Sequence, residues 1–452
     1  MLVTYAMERF HQKFPPEVVE TAKLSIYDSL GCMIIGSQDT CFFKLKRYLK
    51  EYGGQAVCSV ISADGFKTDM EHAASLNAMA AHIRDYDDMC AVLHGHATSA
   101  VFSTVLAVGE RLHKSGTDLL QAFVTGADVA ALMGRGLVAD GYPHACDSSS
   151  TLSIFGSAIA AGVLMGLTEK QLVNAFGIAA SEAAGLRANY GTLAKDLTAA
   201  RTAARGIYAA NMAKLNFDAN PNIIEDPNGF LAACSSTINI DAMKQVMKAK
   251  SSIFERTGMR VKNYPTCGGT HCAMDAAIHL KKQYGIAFQD VEHIYCVAQS
   301  STKASDKYPV PANPMQGKFS IAYCISVALY YGYGYIGAFC GEEFPAEELM
   351  ELVQKTEVAL DDGIFEDALE GAQVTIILKD GRKVRDKVDY CTGSLGKELS
   401  EEQRIDKFSK CVSGIMPQGS AHHYFDRTQN LEQCQDIGKL MEEIQISMST
   451  QK

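Results

Sequence analysis

Lys262-Asn263-Tyr264-Pro265-Thr266-Cys267-Gly268-Gly269-Thr270-His271 marks the point where the chain changes character. Upstream, Ala- and Gly-rich segments carry apolar residues at helical spacing; downstream, strands and helices alternate. The stretch is a cation, a proline turn, a glycine pair and a Thr-His step running into an amphipathic helix, His271–Tyr284. Such a loop can hold Lys262 and Thr270 against one small anion, beside the free N–H groups of the helix start. Upstream, Asp85-Tyr86-Asp87-Asp88 precedes His96, which opens another helix. Together the two constellations point to acid–base chemistry on a small carboxylate.

Working outward, the first half reads as helices. Periodic segments run over 18–35, 71–83, 98–113, 119–136, 172–184 and 199–215. Thr117-Asp118 is the expected cap of the fourth and Thr168 of the fifth. Small residues dominate, so these helices should pack closely rather than form heptad coils. From Arg256 onward, strands are expected over 260–264 and 291–298. Asp380-Gly381 between 374–379 and 382–388 is a strong hairpin signal. Helices at His271–Tyr284 and Phe319–Tyr330 lie among them, and from Ser400 the pattern is helical and charged again. The expectation is a mainly α protein. A large helical domain, 1–256, is completed by 395–452, and a smaller α+β lid domain, 257–394, is inserted between.

Composition narrows the function classes. The 452 residues exceed one ordinary core. The net charge of −10 argues against nucleic acid as a partner, so an anionic substrate needs local cations. Fourteen scattered Cys without a C-x-x-C pair read as reduced thiols of a cytoplasmic protein. The longest apolar run, 153–167, is short for a membrane span and reads as a buried helix. No P-loop or dinucleotide glycine fingerprint appears. His94 and His96 form a His-x-His pair, but no further ligands stand at useful spacing, so no metal or organic cofactor is expected.

Five stretches, in order, resemble the MmgE/PrpD family. Asp85-Tyr86-Asp87-Asp88 is similar to D-[FY]-D-D, and Gly95-His96-Ala97-Thr98-Ser99-Ala100 to a helix start H-P-S-A. Gly191-Thr192-Leu193-Ala194-Lys195-Asp196-Leu197 is similar to G-[ST]-x-x-K-P-L. Lys262 to His271, followed by Asp275-Ala276-Ala277, is similar to K-x-[YF]-P-x-C-x-x-T-H-x-x-x-D-A-A. Gln316 to Tyr323 is similar to A-[KR]-F-S-x-x-Y. That family includes 2-methylcitrate dehydratase, cis-aconitate decarboxylase and iminodisuccinate epimerase. The resemblance implies a helical domain, an α+β lid, a cleft between them, a homodimer, and no metal or organic cofactor.

Residue by residue, the resemblance selects Asp85, His96, Lys195, Lys262, Cys267 and Tyr323 as candidate catalytic groups. Spacing of i, i+4 would place Asp85 and Met89 on one helix face; the family's cis-aconitate decarboxylases carry Thr where Met89 stands. His96 with Thr98 at a helix start suits a substrate carboxylate. Lys195, just before a helix, is a candidate anchor or general acid, and Arg187 an added bidentate cation. Thr270 and His271 complete the binding set, His271 by fixing the loop. Cys267 reads equally as a proton donor or an inert buried thiol, and Tyr323 as a cleft hydroxyl or a core residue. Two departures stand out near Lys195: Asp196 replaces the family's proline, and Thr198 a common histidine. Before the Ser153 helix the family has a further histidine. Strict register puts Asp147 there, and a short loop shift restores His144.

These groups suit removal of a proton next to a carboxylate, with cations stabilising the charge that develops. Loss of water makes a dehydratase, the first expectation for a small di- or tricarboxylate. Reprotonation on the other face makes an epimerase of a substituted succinate, the second; loss of carbon dioxide makes a decarboxylase, the third. Outside this class stands a non-catalytic carboxylate-binding protein. A magnesium-dependent cyclase fits less well, because Asp87-Asp88 has no second ligand motif downstream.

Overall fold

The computed structural model describes residues 1–93, 95–137, 145–234, 239–255, 258–340, 344, 347–365 and 370–450. His94, His144 and the expected change of character at Arg256 lie outside the described residues. The protein is mainly α-helical. The helices that matter for the site are α1 (Pro16–Gly36), α2 (Met70–His82), α3 (Thr98–Arg111), α4 (Gly116–Leu137), α5 (Ser148–Leu164), α6 (Leu193–Lys214), α7 (His271–Tyr284), α8 (Ile321–Tyr331) and α9 (Glu401–Val412). Among the described residues, no helix is long and apolar enough to cross a membrane.

Two packing centres account for most of the buried apolar side chains. The first draws on residues from Leu2 to Phe254 and then on Phe408 to Met448. The second lies wholly within Tyr264 to Cys391. The chain's last helices return to the first centre: the Phe408 ring stacks on Tyr27 at 4.4 Å, and Lys407 pairs with Asp28 at 2.6 Å.

Small residues explain how the first centre packs. At the crossing of α4 and α5, a Cβ on Gly156 would meet the Gly126 carbonyl oxygen at 2.4 Å. One on Gly126 would meet the Gly156 oxygen at 2.6 Å. Gly206 of α6 is likewise pressed on Ser157, where a Cβ would sit 2.4 Å from the serine Cβ. Three helices therefore meet backbone to backbone, as their Ala and Gly content predicts.

The second centre is built on a mixed four-stranded sheet. Strands β3 (Val291–Ala298), β4 (Thr356–Leu360), β5 (Ala372–Leu378) and β6 (Lys383–Val388) lie in the order β4-β3-β5-β6. The β3–β4 pair is parallel; β3–β5 and the β5–β6 hairpin are antiparallel. Gly381 closes that hairpin at φ 87, the left-handed region glycine enters without steric cost. Apolar residues of α7 and α8 pack in the same core as Ile294, Cys296, Val374 and Ile376. A two-residue ladder joins the two halves of the chain: β1 (Met89–Cys90) pairs antiparallel with β2 (Met259–Arg260).

Several local expectations need correction. Asp85 and Met89 do not share a helix face. α2 ends at His82, Asp85 adopts φ 52, and Met89 lies in β1. Aspartate tolerates this left-handed conformation better than most residues, so a run of acids hides a chain reversal. Lys195 is not before a helix but in the first turn of α6 (Leu193–Lys214). The cap of α4 is Ser115: its hydroxyl accepts from Asp118 N, and Asp118 accepts from Ser115 N, so Thr117 is not the cap. The strand expected over 260–264 is limited to Met259–Arg260, because Pro265 and the turn before it leave the ladder.

An exposed helical Gly→Ala change stabilises by about 1 kcal/mol. At the α4–α5 crossing the sign should reverse. Gly156→Ala should lose about 1–3 kcal/mol, the usual cost of overpacking, measured as a lower urea midpoint at unchanged slope. A midpoint equal to or above wild type would show that the crossing does not require glycine.

Candidate active site

The site is built around residues 83–88, an irregular buried stretch between α2 and β1. With no helix or sheet partner, its carbonyls must be satisfied otherwise. Lys318 Nζ donates to Ile83 O at 2.7 Å, Lys262 Nζ to Asp85 O at 3.0 Å and Lys407 Nζ to Tyr86 O at 2.8 Å. The His96 Nδ1 lies 2.9 Å from Asp88 O. Three lysines from distant parts of the sequence, with the nearby His96, thus hold one short segment in place.

Asp85 is the electrostatic centre. Its carboxylate accepts from Lys262, stands 3.4 Å from Lys195 Nζ, and lies 3.8 Å from His96 Nε2. Lys262 is fully buried, Asp85 nearly so. Burial opposes ionisation of Asp85, but Lys195 and then Lys262 overcome it and hold its carboxyl well below the ordinary range. Burial likewise opposes the charge of Lys195, and Asp85 reverses that, raising its pKa.

Asp87 orients two histidines. Its carboxylate is 3.0 Å from His82 Nδ1 and 3.1 Å from His96 Nδ1. Lys195 Nζ then lies 2.7 Å from His82 Nε2. The network assigns the tautomers: each Nδ1–H donates to a carboxylate or carbonyl, leaving each Nε2 with a lone pair. Lys195 donates to that of His82; that of His96 faces Asp85. Burial is the main cause that pushes the His96 pKa down, keeping the ring neutral, while Asp87 partly offsets it. Asp87 itself is penalised by burial but held ionised by His96 and His82. Burial and then Asp28 push Asp88 up to about 8, so it is the protonated member of the motif.

Among the described residues, His82, Asp87 and His96 are the group that could hold a metal, with ligand atoms within 4.8 Å of one another. In this arrangement both Nδ1 atoms already serve hydrogen bonds to Asp87, the second-partner geometry that orients an imidazole.

The expected residues divide clearly. Asp85, His96, Lys195 and Lys262 come together. Cys267 stands beside them: its thiol is 3.0 Å from Ser305 Oγ, and burial first, then Asp85, pushes its pKa up. Thr98 does not face an anion; its hydroxyl donates to Asp88 at 3.0 Å. Nor do Lys262 and Thr270 converge on one anion. Lys262 is committed to Asp85, and Thr270 donates to Cys267 O at 2.9 Å and meets Thr266. His271 is buried near Thr266 O and packs edge-on to Tyr264, as a loop support. Tyr323 is not in the site. Its hydroxyl donates to Ala338 O and its ring packs between Phe339 and Phe344 in the second core.

Arg187 lies on a short turn next to Ala145, with its Nε buried and without a hydrogen bond. Asp147, at the register position of the family histidine, caps α5 and accepts from Tyr190. Sequence reasoning missed His82, Lys318 and Tyr308. His82 carried a usable signal, three residues before Asp85 at a helix end. Tyr308 bonds Tyr190 O at 2.9 Å and packs on Gly191, where any Cβ would be 2.3 Å from its ring.

Comparison with known proteins identifies the family. The family model for the MmgE/PrpD N-terminal domain matches residues 1–242, and that for the MmgE/PrpD C-terminal domain matches 264–433. Cis-aconitate decarboxylase of Mus musculus is 26% identical over 434 residues, 94% of this chain and 88% of its own length. That of Homo sapiens is 26% identical over 432 residues, 94% and 89%. That of Aspergillus terreus (strain NIH 2624 / FGSC A1156) is 22% identical over 451 residues, 95% and 92%. With both halves matched in order, the chain belongs to the MmgE/PrpD family.

Proposed function

We propose that this protein is a lyase that removes a proton beside a carboxylate of a small di- or tricarboxylate and expels water, without metal or organic cofactor. The observation that carries this reading is the unprotonated Nε2 of His96 facing the Asp85–Lys262–Lys195 cluster, with the tautomer fixed from behind. A substrate carboxylate would compete with Asp85 for the two ammonium groups. His96 Nε2 would take the adjacent carbon-bound proton, and Lys262 would stabilise the enediolate charge. The departing hydroxyl would take a proton from Lys195, leaving as water; the proton on His96 then returns to Lys195. His82, tied to Asp87, holds the Lys195 ammonium in place between turnovers. A cytoplasmic homodimer completes the reading.

Decarboxylation is the second reading, favoured by the cis-aconitate decarboxylases to which the chain is similar along nearly its whole length. We rank it lower on an electrostatic argument. Two ammonium groups beside a departing carboxylate stabilise it in the ground state and oppose its loss as neutral carbon dioxide. Proton NMR in D2O of the protein with a panel of hydroxy-, amino- and unsaturated di- and tricarboxylates separates the outcomes. Water loss, carbon dioxide release and inversion at carbon each give a distinct spectrum. A folded protein that leaves the whole panel unchanged, without even solvent exchange, would overturn the lyase assignment.

Two further outcomes are expected. His96→Gln should lower kcat by about 10²–10⁴-fold, the usual contribution of one positioned acid–base group, with the melting temperature little changed. Lys262→Met should raise KM as well as lower kcat, and should also cost stability. It leaves the buried Asp85 with Lys195 as its one remaining ammonium, and breaking such a pair costs about 3–5 kcal/mol when no partner remains. A His96→Gln enzyme with near-normal kcat would remove His96 as the base.

The pH dependence follows from the His96 shift. The base form exists above its pKa, and burial has moved that pKa down. Activity should therefore persist as pH falls through about 6.5, the ordinary histidine value, and fail only below it. An acid limb of kcat/KM centred above that value would contradict a neutral buried His96.

A further inference from the structure

We propose that Arg260 binds the substrate carboxylate farthest from the reacting carbon and thereby selects tricarboxylates over dicarboxylates. The inference rests on the carboxylate-lyase reading above and names a recognition residue that no sequence motif singled out. Arg260 lies at the β1–β2 ladder, two residues before Lys262 and directly opposite Met89, which itself follows Asp85 by four residues.

Its guanidinium is divided between two neighbours of unequal strength. One terminal nitrogen, Nη1, is paired with Glu370. The other, Nη2, has as its hydrogen-bond partner the Met89 sulfur at 3.1 Å. A thioether is a weak acceptor, and a charged N–H edge facing it is poorly satisfied. The side chain is largely buried, at 16% exposure, so water covers little of that edge. Guanidinium groups grip carboxylates with two parallel N–H bonds, and the Glu370 pair leaves one side of the fork for a second anion.

The loop is shaped around this edge. A Cβ on Gly268 would lie 2.1 Å from Arg260 Nη2 and 2.5 Å from Met89 Sδ. Gly268 thus keeps this edge of the guanidinium free of a side chain. The next residue back, Cys267, places the edge relative to the reaction cluster. Its thiol lies in the combined field of Asp85, Lys262 and Glu370. The Lys262–Asp85 and Arg260–Glu370 pairs therefore flank one residue of the same loop. A ligand with carboxylates at both ends would meet an ammonium at one and a guanidinium at the other. Arg260 also lies in the field of Cys391, whose thiol pKa is held well below the ordinary value by its Cys272 hydrogen bond and then by Arg260, so a ligand carboxylate would share the guanidinium with Glu370 and Cys391.

Isothermal titration with propane-1,2,3-tricarboxylate and with succinate tests this without requiring turnover. Wild type should bind the tricarboxylate more tightly. Arg260→Gln and Arg260→Lys should each lose about 10- to 100-fold of that preference, the fold-change of one charge-assisted hydrogen-bonded contact, with succinate affinity little altered. Arg260→Lys keeps a charge for Glu370, so its fold is secured while the planar second edge is gone. His96→Gln should keep the preference although turnover falls. If wild type prefers the tricarboxylate and Arg260→Lys keeps the same ratio, the Arg260 assignment is overturned and the lyase reading stands. If wild type binds neither acid, both are overturned together.

Discussion

Six residues without regular secondary structure, 83–88, are buried in the middle of this protein, and their carbonyl groups cannot be left bare. A buried backbone group without a partner costs about as much as a lost hydrogen bond. The chain resolves this with long cationic side chains: Lys318 on Ile83, Lys262 on Asp85 and Lys407 on Tyr86. These lysines come from before α8, from the loop before α7, and from α9. A segment from the first half of the chain is therefore held by residues 177, 235 and 321 positions away. The arrangement couples assembly of the site to assembly of the whole chain, because no one part supplies all three donors.

Once these three ammonium groups and that of Lys195 are drawn into an apolar interior, their charge must be balanced. Asp85 answers Lys262 and Lys195; Asp28 answers Lys407. Lys318 has no carboxylate within ion-pair distance among the described residues, and burial lowers its pKa. Nearby Asp196 is almost fully buried with one oxygen unbonded, and burial pushes it up to about 6. The same scaffold requirement thus generates both strongly ionised pairs and groups poised near neutrality. Such a mixture is what proton transfer between neighbours needs. The division of labour within the acidic motif follows the same logic. Asp85 meets ammonium groups, Asp87 meets imidazoles, and Asp88, with a hydroxyl partner and no cation, holds its proton.

Much of the fold is legible in the residues, for identifiable reasons. Helix α7 begins at the Thr-His step and ends at Gly285 in the left-handed conformation. The β5–β6 hairpin is fixed by Asp380-Gly381, and the helix after Thr168 by a capping box. These signals are local, so the sequence carries them complete. The reversal at Asp85 is not local. An aspartate at φ 52 is held there by Lys262 binding both its carbonyl and its carboxylate, a partner 177 positions away. A charge run beside a helix end gives no hint of that.

The site shows the same boundary between local and distant causes. Asp85, His96, Lys195 and Lys262 were picked out by motif order, and the structure brings them together. Tyr323 was picked out by the same means and lies elsewhere. A helical position fixes which neighbours share a face, but not which core that face meets. The ring of Tyr323 is claimed by Phe339 and Phe344, both downstream of its helix. His82 was passed over for the opposite reason. Alone at the end of a small-residue helix, it looks like an ordinary core histidine. Its meaning appears only when Asp87 holds one ring nitrogen and Lys195 the other. Arg260 belongs with His82. One side of its environment is a carboxylate, the other a sulfur, and the ladder that sets Met89 opposite it reveals that half its fork meets a weak acceptor.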